Sequence, residues 1–120
     1  MSVRDVHVWW AWVVVATNAI AGLWALCANW LEGLRHRALW WFTVAAELTI
    51  FVQVILGVVM VSGQHIPAPP FHMFYGYVAI ASVAIIAAYR QQLARHIYLL
   101  YGLGGLFLMG LALRAIVVQR

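Results

Sequence analysis

The segment Val6–Thr17 reads "VHVWWAWVVVAT", and Phe71–Ser82 reads "FHMFYGYVAIAS". Each block has a histidine, one spacer, two aromatics, a small residue, a third aromatic and an apolar run containing β-branched residues. Each also opens a long apolar segment. The first runs from about Val8 to Ala28 and the other from about Phe71 to Tyr89. Two more segments of this kind run from about Leu39 to Val61 and from about Ile97 to Val118. All four approach or reach the roughly 20 residues that a ~30 Å hydrocarbon core requires. Each must be helical, because an unpaired backbone group in lipid costs several kcal/mol.

Composition places these helices in a bilayer. The chain has 120 residues, 67% hydrophobic and 8% charged, whereas a soluble domain carries roughly 25% charged residues. Too little polar surface exists to cover a soluble globule. Aromatics make up 14%, with seven Trp, which suits two interfacial belts. The net charge of +4 comes from arginines alone, since there is no Lys. It reports topology, and nothing points to nucleic acid. A composition rich in Ala, Val, Trp and Arg looks like that of a GC-rich bacterial genome, so the expected location is a bacterial inner membrane. Cys27 is the only cysteine, which excludes an intrachain disulfide and leaves a packed thiol. The start "MSVRDVHVWW" does not have the form of a cleaved signal peptide.

The connections are short: "NWLEGLRHRA", "SGQHIPAPP" and "RQQLARH". Loops of this length make neighbouring helices antiparallel. The expected fold is an all-α integral membrane four-helix bundle, up-down-up-down, occupying residues 1–120 as one domain. The first and third loops, near 30–38 and 90–96, hold Arg35, Arg37, Arg90 and Arg95, and the proline loop holds no arginine. The positive-inside rule puts those two loops in the cytoplasm and both termini outside. Arg4 and Arg120 weigh mildly the other way.

The two opening blocks are also one half of a repeat. An offset of 65 aligns His7 with His72 and Thr17 with Ser82, and an offset of 60 aligns "RHRALWW" (Arg35–Trp41) with "RHIYLLY" (Arg95–Tyr101). The expected architecture is two repeated helical hairpins, about 6–61 and about 71–118, related by an axis along the membrane normal. Spans one and three would be diagonal, so His7 would face His72 and His36 would face His96.

At 100° per residue, Asn18 shares a face with His7, Glu47 with His36, and Arg114 with His96. Polar groups in a membrane turn toward the bundle interior, so the histidine faces are expected to be the inner ones. Asn18 and Glu47 each lie about 16 Å in from opposite ends, close enough in depth to hydrogen-bond. Arg114 returns to the outer level near His7 and His72. Gln53, off the Glu47 face, is expected at a helix–helix contact. His65, in the proline loop, reads as solvated.

Two histidines on diagonal helices can hold a b-type haem as neutral imidazole ligands, with Arg114 available to a propionate. In this plan the chain resembles the small four-helix b-type cytochromes, the cytochrome b561 kind among them. The resemblance covers the four spans and the recurring histidines. It implies electron transfer through histidine-ligated haem b, with His7 and His72 as ligands. The chain departs from that pattern in placing its histidines at span ends.

Three functions fit the sequence. The first is a non-enzymatic accessory or assembly subunit of a membrane complex, favoured by small size and by Gly102, Gly104, Gly105 and Gly110 offering close approach to a membrane-protein partner or a second copy. The second is a haem-binding electron-transfer protein. The third is a proton-coupled carrier using Glu47, the one acid expected at mid-membrane depth. No nucleophile–base set, phosphate loop or metal-ligand cluster nominates a catalytic or metal centre.

Overall fold

A computed structural model describes residues 2–118, so Arg120 lies outside the described residues. Four helices carry the fold: α1 (Val3–Ala28), α2 (Arg37–Val58), α3 (Pro70–Ala88) and α4 (Ile97–Val118). No strand occurs among the described residues. All four helices are long and apolar enough to cross a membrane.

Local chemistry sets the helix ends. Ser2 and Asp5 form a reciprocal capping box at the start of α1, both bonds 3.1 Å, satisfying two orphan donors. At its other end Arg35 donates through Nε to the Ala28 carbonyl (2.7 Å) and through Nη2 to the Asn29 carbonyl (2.9 Å), placing a cation where the helix dipole is negative. His36 Nδ1 accepts from the Ala38 amide and caps α2. Beyond Val58, α2 widens into one π-helical turn, Val59–Gly63. The chain then turns at His65, at φ 55°, and enters α3 on Pro70, a residue suited to a first helical turn.

The side-chain register shows the directions. On α2, Gln53 reaches His7, Thr49 reaches Trp10 and Thr17, and Ala46 reaches Asn18, so numbers fall along α2 as they rise along α1. Gly105 of α4 lies against Gly22 and Gly102 against Leu26, again antiparallel. Ala115 and Gly104 of α4 meet His72 and Ile86 of α3. The bundle is therefore up-down-up-down. Its order around the axis is α2–α1–α4–α3, with α1 diagonal to α3, and α2 and α3 only lightly in contact.

Packing follows a seven-residue rhythm. The buried residues of α1 are His7, Ala11, Val14, Asn18, Ala21, Ala25 and Ala28, in alternating steps of four and three as in coiled-coil seams, with Gly22 beside them. On α2 the stripe is Leu39, Thr43, Ala46 and Ile50, and Gln53 and Gly57 continue its spacing. Small residues bring α1 and α4 together. A Cβ on Gly105 would stand 2.7 Å from the Gly22 Cα, and one on Gly102 would stand 2.8 Å from the Leu26 Cα. Such backbone proximity maximises dispersion contact where no hydrophobic effect separates helix from lipid. Gly104 makes the same accommodation for Ile86 on α3. Three of the four glycines of span four are thus closed inside the bundle, and Gly110 alone of them faces open space.

Candidate functional site

At the proline-loop end, α1 and α3 bring together the histidines of their first two turns. The His7 and His72 ring centroids are 5.8 Å apart with planes at 79°. His7 is 6% exposed, and its Nδ1 has no hydrogen-bond partner. Its backbone carbonyl accepts from Gln53 Nε2 at 2.8 Å, while Gln53 Oε1 is buried without a partner. His72 Nδ1 lies 2.9 Å from the Ala115 carbonyl. A carbonyl only accepts, so Nδ1 carries the proton and the Nε2 lone pair is free.

The pair lines a cavity of about 690 Å³, within the range of small-molecule and cofactor sites. The light contact between α2 and α3 leaves this space. Its walls include Ala11 of α1, Gly57 of α2, Gly76 of α3, and Ala112 and Ala115 of α4, together with Ile66–Pro69 of the proline loop. A Cβ on Gly57 would stand 3.4 Å from His7 Cε1. Arg4, three residues before His7 on the same helix face, stands among the lining residues and is exposed.

The other sequence-nominated residues lie elsewhere. Asn18 is buried and donates to the Val14 (2.9 Å) and Ala46 (3.2 Å) carbonyls. It fastens α1 to α2, and its amide nitrogen serves those carbonyls and not Glu47. Glu47 is half-buried, one position off the buried stripe of α2 and outside the cavity lining. Its neighbour Ala46 is bonded to Asn18, midway along α1, which sets the depth of Glu47 in the bundle. Arg114 is exposed and is not part of the cavity lining. Gln53 does join α2 to α1, and it does so on His7 itself.

His36 and His96 do not face each other inside the bundle, because both are exposed. His36 is a cap outside α2, and His96 lies in a 3₁₀ turn, Ala94–His96, before α4. A phase of 100° per residue cannot be carried from a cap or a 3₁₀ turn into the following α-helix. This is why faces inferred from those two histidines miss the buried stripes. His65 is exposed too and stands apart from the cavity lining. Among the described residues, no three His, Cys, Asp or Glu side chains gather as a metal cluster.

Sequence reasoning passed over Gly57 and Arg4. Both were legible as spacing: Gly57 continues the α2 stripe four residues after Gln53, and Arg4 shares the His7 face. A separate aromatic cluster closes the arginine-loop end. Trp40 packs on Tyr98 (5.6 Å) and Tyr101 (5.3 Å), with Arg90 5.9 Å over its ring and Arg35 4.8 Å over Tyr98.

No family model matches the chain, nor does any curated protein or solved structure. Fold and site therefore define the class by themselves: an antiparallel four-helix bundle of membrane-spanning length and apolarity, with a facing histidine pair in a cavity at one end.

Proposed function

We propose that this chain is a four-span membrane protein that binds one b-type haem between His7 and His72 and serves in electron transfer. The observation that carries this reading is the meeting of the two imidazoles, from diagonal helices, inside a cavity. The residues present fit such a group. The 5.8 Å between ring centroids keeps both imidazoles within reach of one shared group. His7 is buried there, and His72 holds its Nδ1 against the Ala115 carbonyl, so each ring can offer one nitrogen. Gly57, Gly76, Ala11, Ala112 and Ala115 keep parts of the wall free of bulky side chains.

A bound haem supplies a one-electron redox centre whose potential follows its ligands and burial. The rest is the work of this chain. The Ala115 carbonyl holds the His72 tautomer and points its Nε2 lone pair away from α4. Burial of His7 keeps water from competing for its ring. Arg4 at the lip offers a guanidinium to an anionic edge substituent, the role the sequence assigned to Arg114. With His36 and His96 exposed, the reading is of one haem and not a transmembrane pair. The arginine loops on the cytoplasmic side of a bacterial inner membrane would put the cavity on the outer side.

Two observations lower the other readings. The glycine faces that recommended an accessory subunit are mostly closed against α1 and α3. The acid that recommended a carrier lies outside the cavity. Absorbance of the detergent-purified protein tests the proposal. A reduced α-band at the b-type position, lost in His72→Ala, is the expected result. A preparation that stays colourless after haemin supplementation overturns it.

A further inference from the structure

Two buried polar atoms on residues that line the cavity lack partners, and they are complementary. One is His7 Nδ1, the other Gln53 Oε1. Both residues already meet, through the 2.8 Å bond from Gln53 Nε2 to the His7 carbonyl. That bond fixes which end of the carboxamide faces the carbonyl and leaves Oε1, a pure acceptor, as the free end. Ala11, Ile50, Val54 and Gly57 line the same cavity and offer no polar side chain, and the competing acceptor at the His7 ring is the Gln53 main-chain carbonyl. An unpaired buried donor or acceptor costs about 1–3 kcal/mol, so each atom has strong reason to find the other.

We infer that Gln53 is the positioning residue of His7: its Oε1 accepts the His7 Nδ1 proton, directly after a small ring rotation or through one water, and so leaves Nε2 as the free ligand nitrogen. His72 has the same device in its bond to the Ala115 carbonyl. The two histidines then present equivalent nitrogens by different means, a backbone carbonyl on one side and a substitutable side chain on the other. Partners of this kind set the tautomer and raise the basicity of a metal-ligating imidazole. The ligand role of Nε2 rests on the haem reading; the Gln53–His7 bond does not.

The test uses ¹⁵N-histidine-labelled full-length protein in detergent, read by NMR without haem and then titrated with haemin. Without haem, His7 is expected as a single Nδ1–H tautomer, lost in Gln53→Leu and retained in Gln53→Glu, which keeps an acceptor. Asn18→Leu, which removes a different α1–α2 bond, should leave the tautomer unchanged and so separates positioning from general loosening. With haemin, Gln53→Leu should bind roughly 10–100-fold more weakly, and Gln53→Glu should lower the midpoint potential. An Nε2–H tautomer in the unsubstituted protein overturns the inference, as does a tautomer indifferent to Gln53→Leu. If Gln53→Leu does not fold, the tautomers of the unsubstituted protein and Gln53→Glu decide. A Gln53-dependent tautomer without haemin binding keeps this inference and overturns the haem reading; haemin binding with an indifferent tautomer does the reverse.

Discussion

The imidazoles of His7 and His72 lie 5.8 Å apart, centroid to centroid, across the diagonal of a four-helix bundle. Each occupies the first turns of its helix, and nothing in the local chain holds them together. Their approach is set by α4, which packs on both α1 and α3. A site built this way should respond sharply to the histidines and weakly to polar residues outside the cavity.

Exogenous imidazole should therefore rescue His72→Ala. Removing that ring leaves space beside an intact His7, and free imidazole can occupy it. The expected result is loss of the reduced α-band and its return on titrating imidazole, followed by difference spectroscopy. A band that persists in both His7→Ala and His72→Ala would place the haem elsewhere.

Gly105→Leu should cost about 1–3 kcal/mol, the usual penalty for overpacking. The new side chain would meet the Gly22 backbone, which cannot rotate aside. Gly110→Leu faces open space and should be near neutral. Unfolding titrations in mixed detergent micelles measure the contrast.

Asn18→Leu should destabilise by roughly 0.6–2 kcal/mol, the range for interhelical hydrogen bonds in membranes. The loss is of the bond to the Ala46 carbonyl. Haem absorbance at saturating haemin should stay the same, because Asn18 does not line the cavity.

Glu47→Gln should likewise leave haemin affinity and spectrum unchanged. Glu47 does not line the cavity that holds the histidines. A spectral shift in this variant would mean that its carboxyl is felt at the cavity.

Arg35→Ala should lower stability by about 1 kcal/mol. It removes a cation from the carboxyl end of α1, worth about 0.3–1 kcal/mol. It also removes the guanidinium from over Tyr98, worth about 0.5–1 kcal/mol at an exposed site. Arg35→Lys should recover only part of this, since an ammonium cannot reproduce the fork that reaches both Ala28 and Asn29. Thermal unfolding followed by circular dichroism gives the measurement.

Much of the site was legible residue by residue. His7 begins a helix and lies 11 positions before Asn18, and that phase relation places both on the buried face of α1. His72 begins α3 without such a polar partner, and the residue 11 positions on, Val83, is apolar and buried. The same procedure failed for Glu47 and Arg114, because it started from His36 and His96. Those residues sit in a cap and a 3₁₀ turn, whose rotation per residue differs from that of the helix they introduce. Helix phase can be propagated only within one helix.

The sequence by itself determined four helices and their alternating direction. Both follow from one-dimensional properties: apolar length against bilayer thickness, backbone groups that must bond within their own segment, and loops too short to permit parallel neighbours. Tertiary structure alone decided which faces meet. Gly22, Gly102 and Gly105 are small wherever they stand, and whether they serve a partner or their own bundle depends on the mutual register of α1 and α4. That register also draws α1 and α4 together while α2 and α3 stay apart, and the cavity beside His7 and His72 is the space this difference leaves. Packing is a collective property of all four stripes at once, and no single stripe contains it.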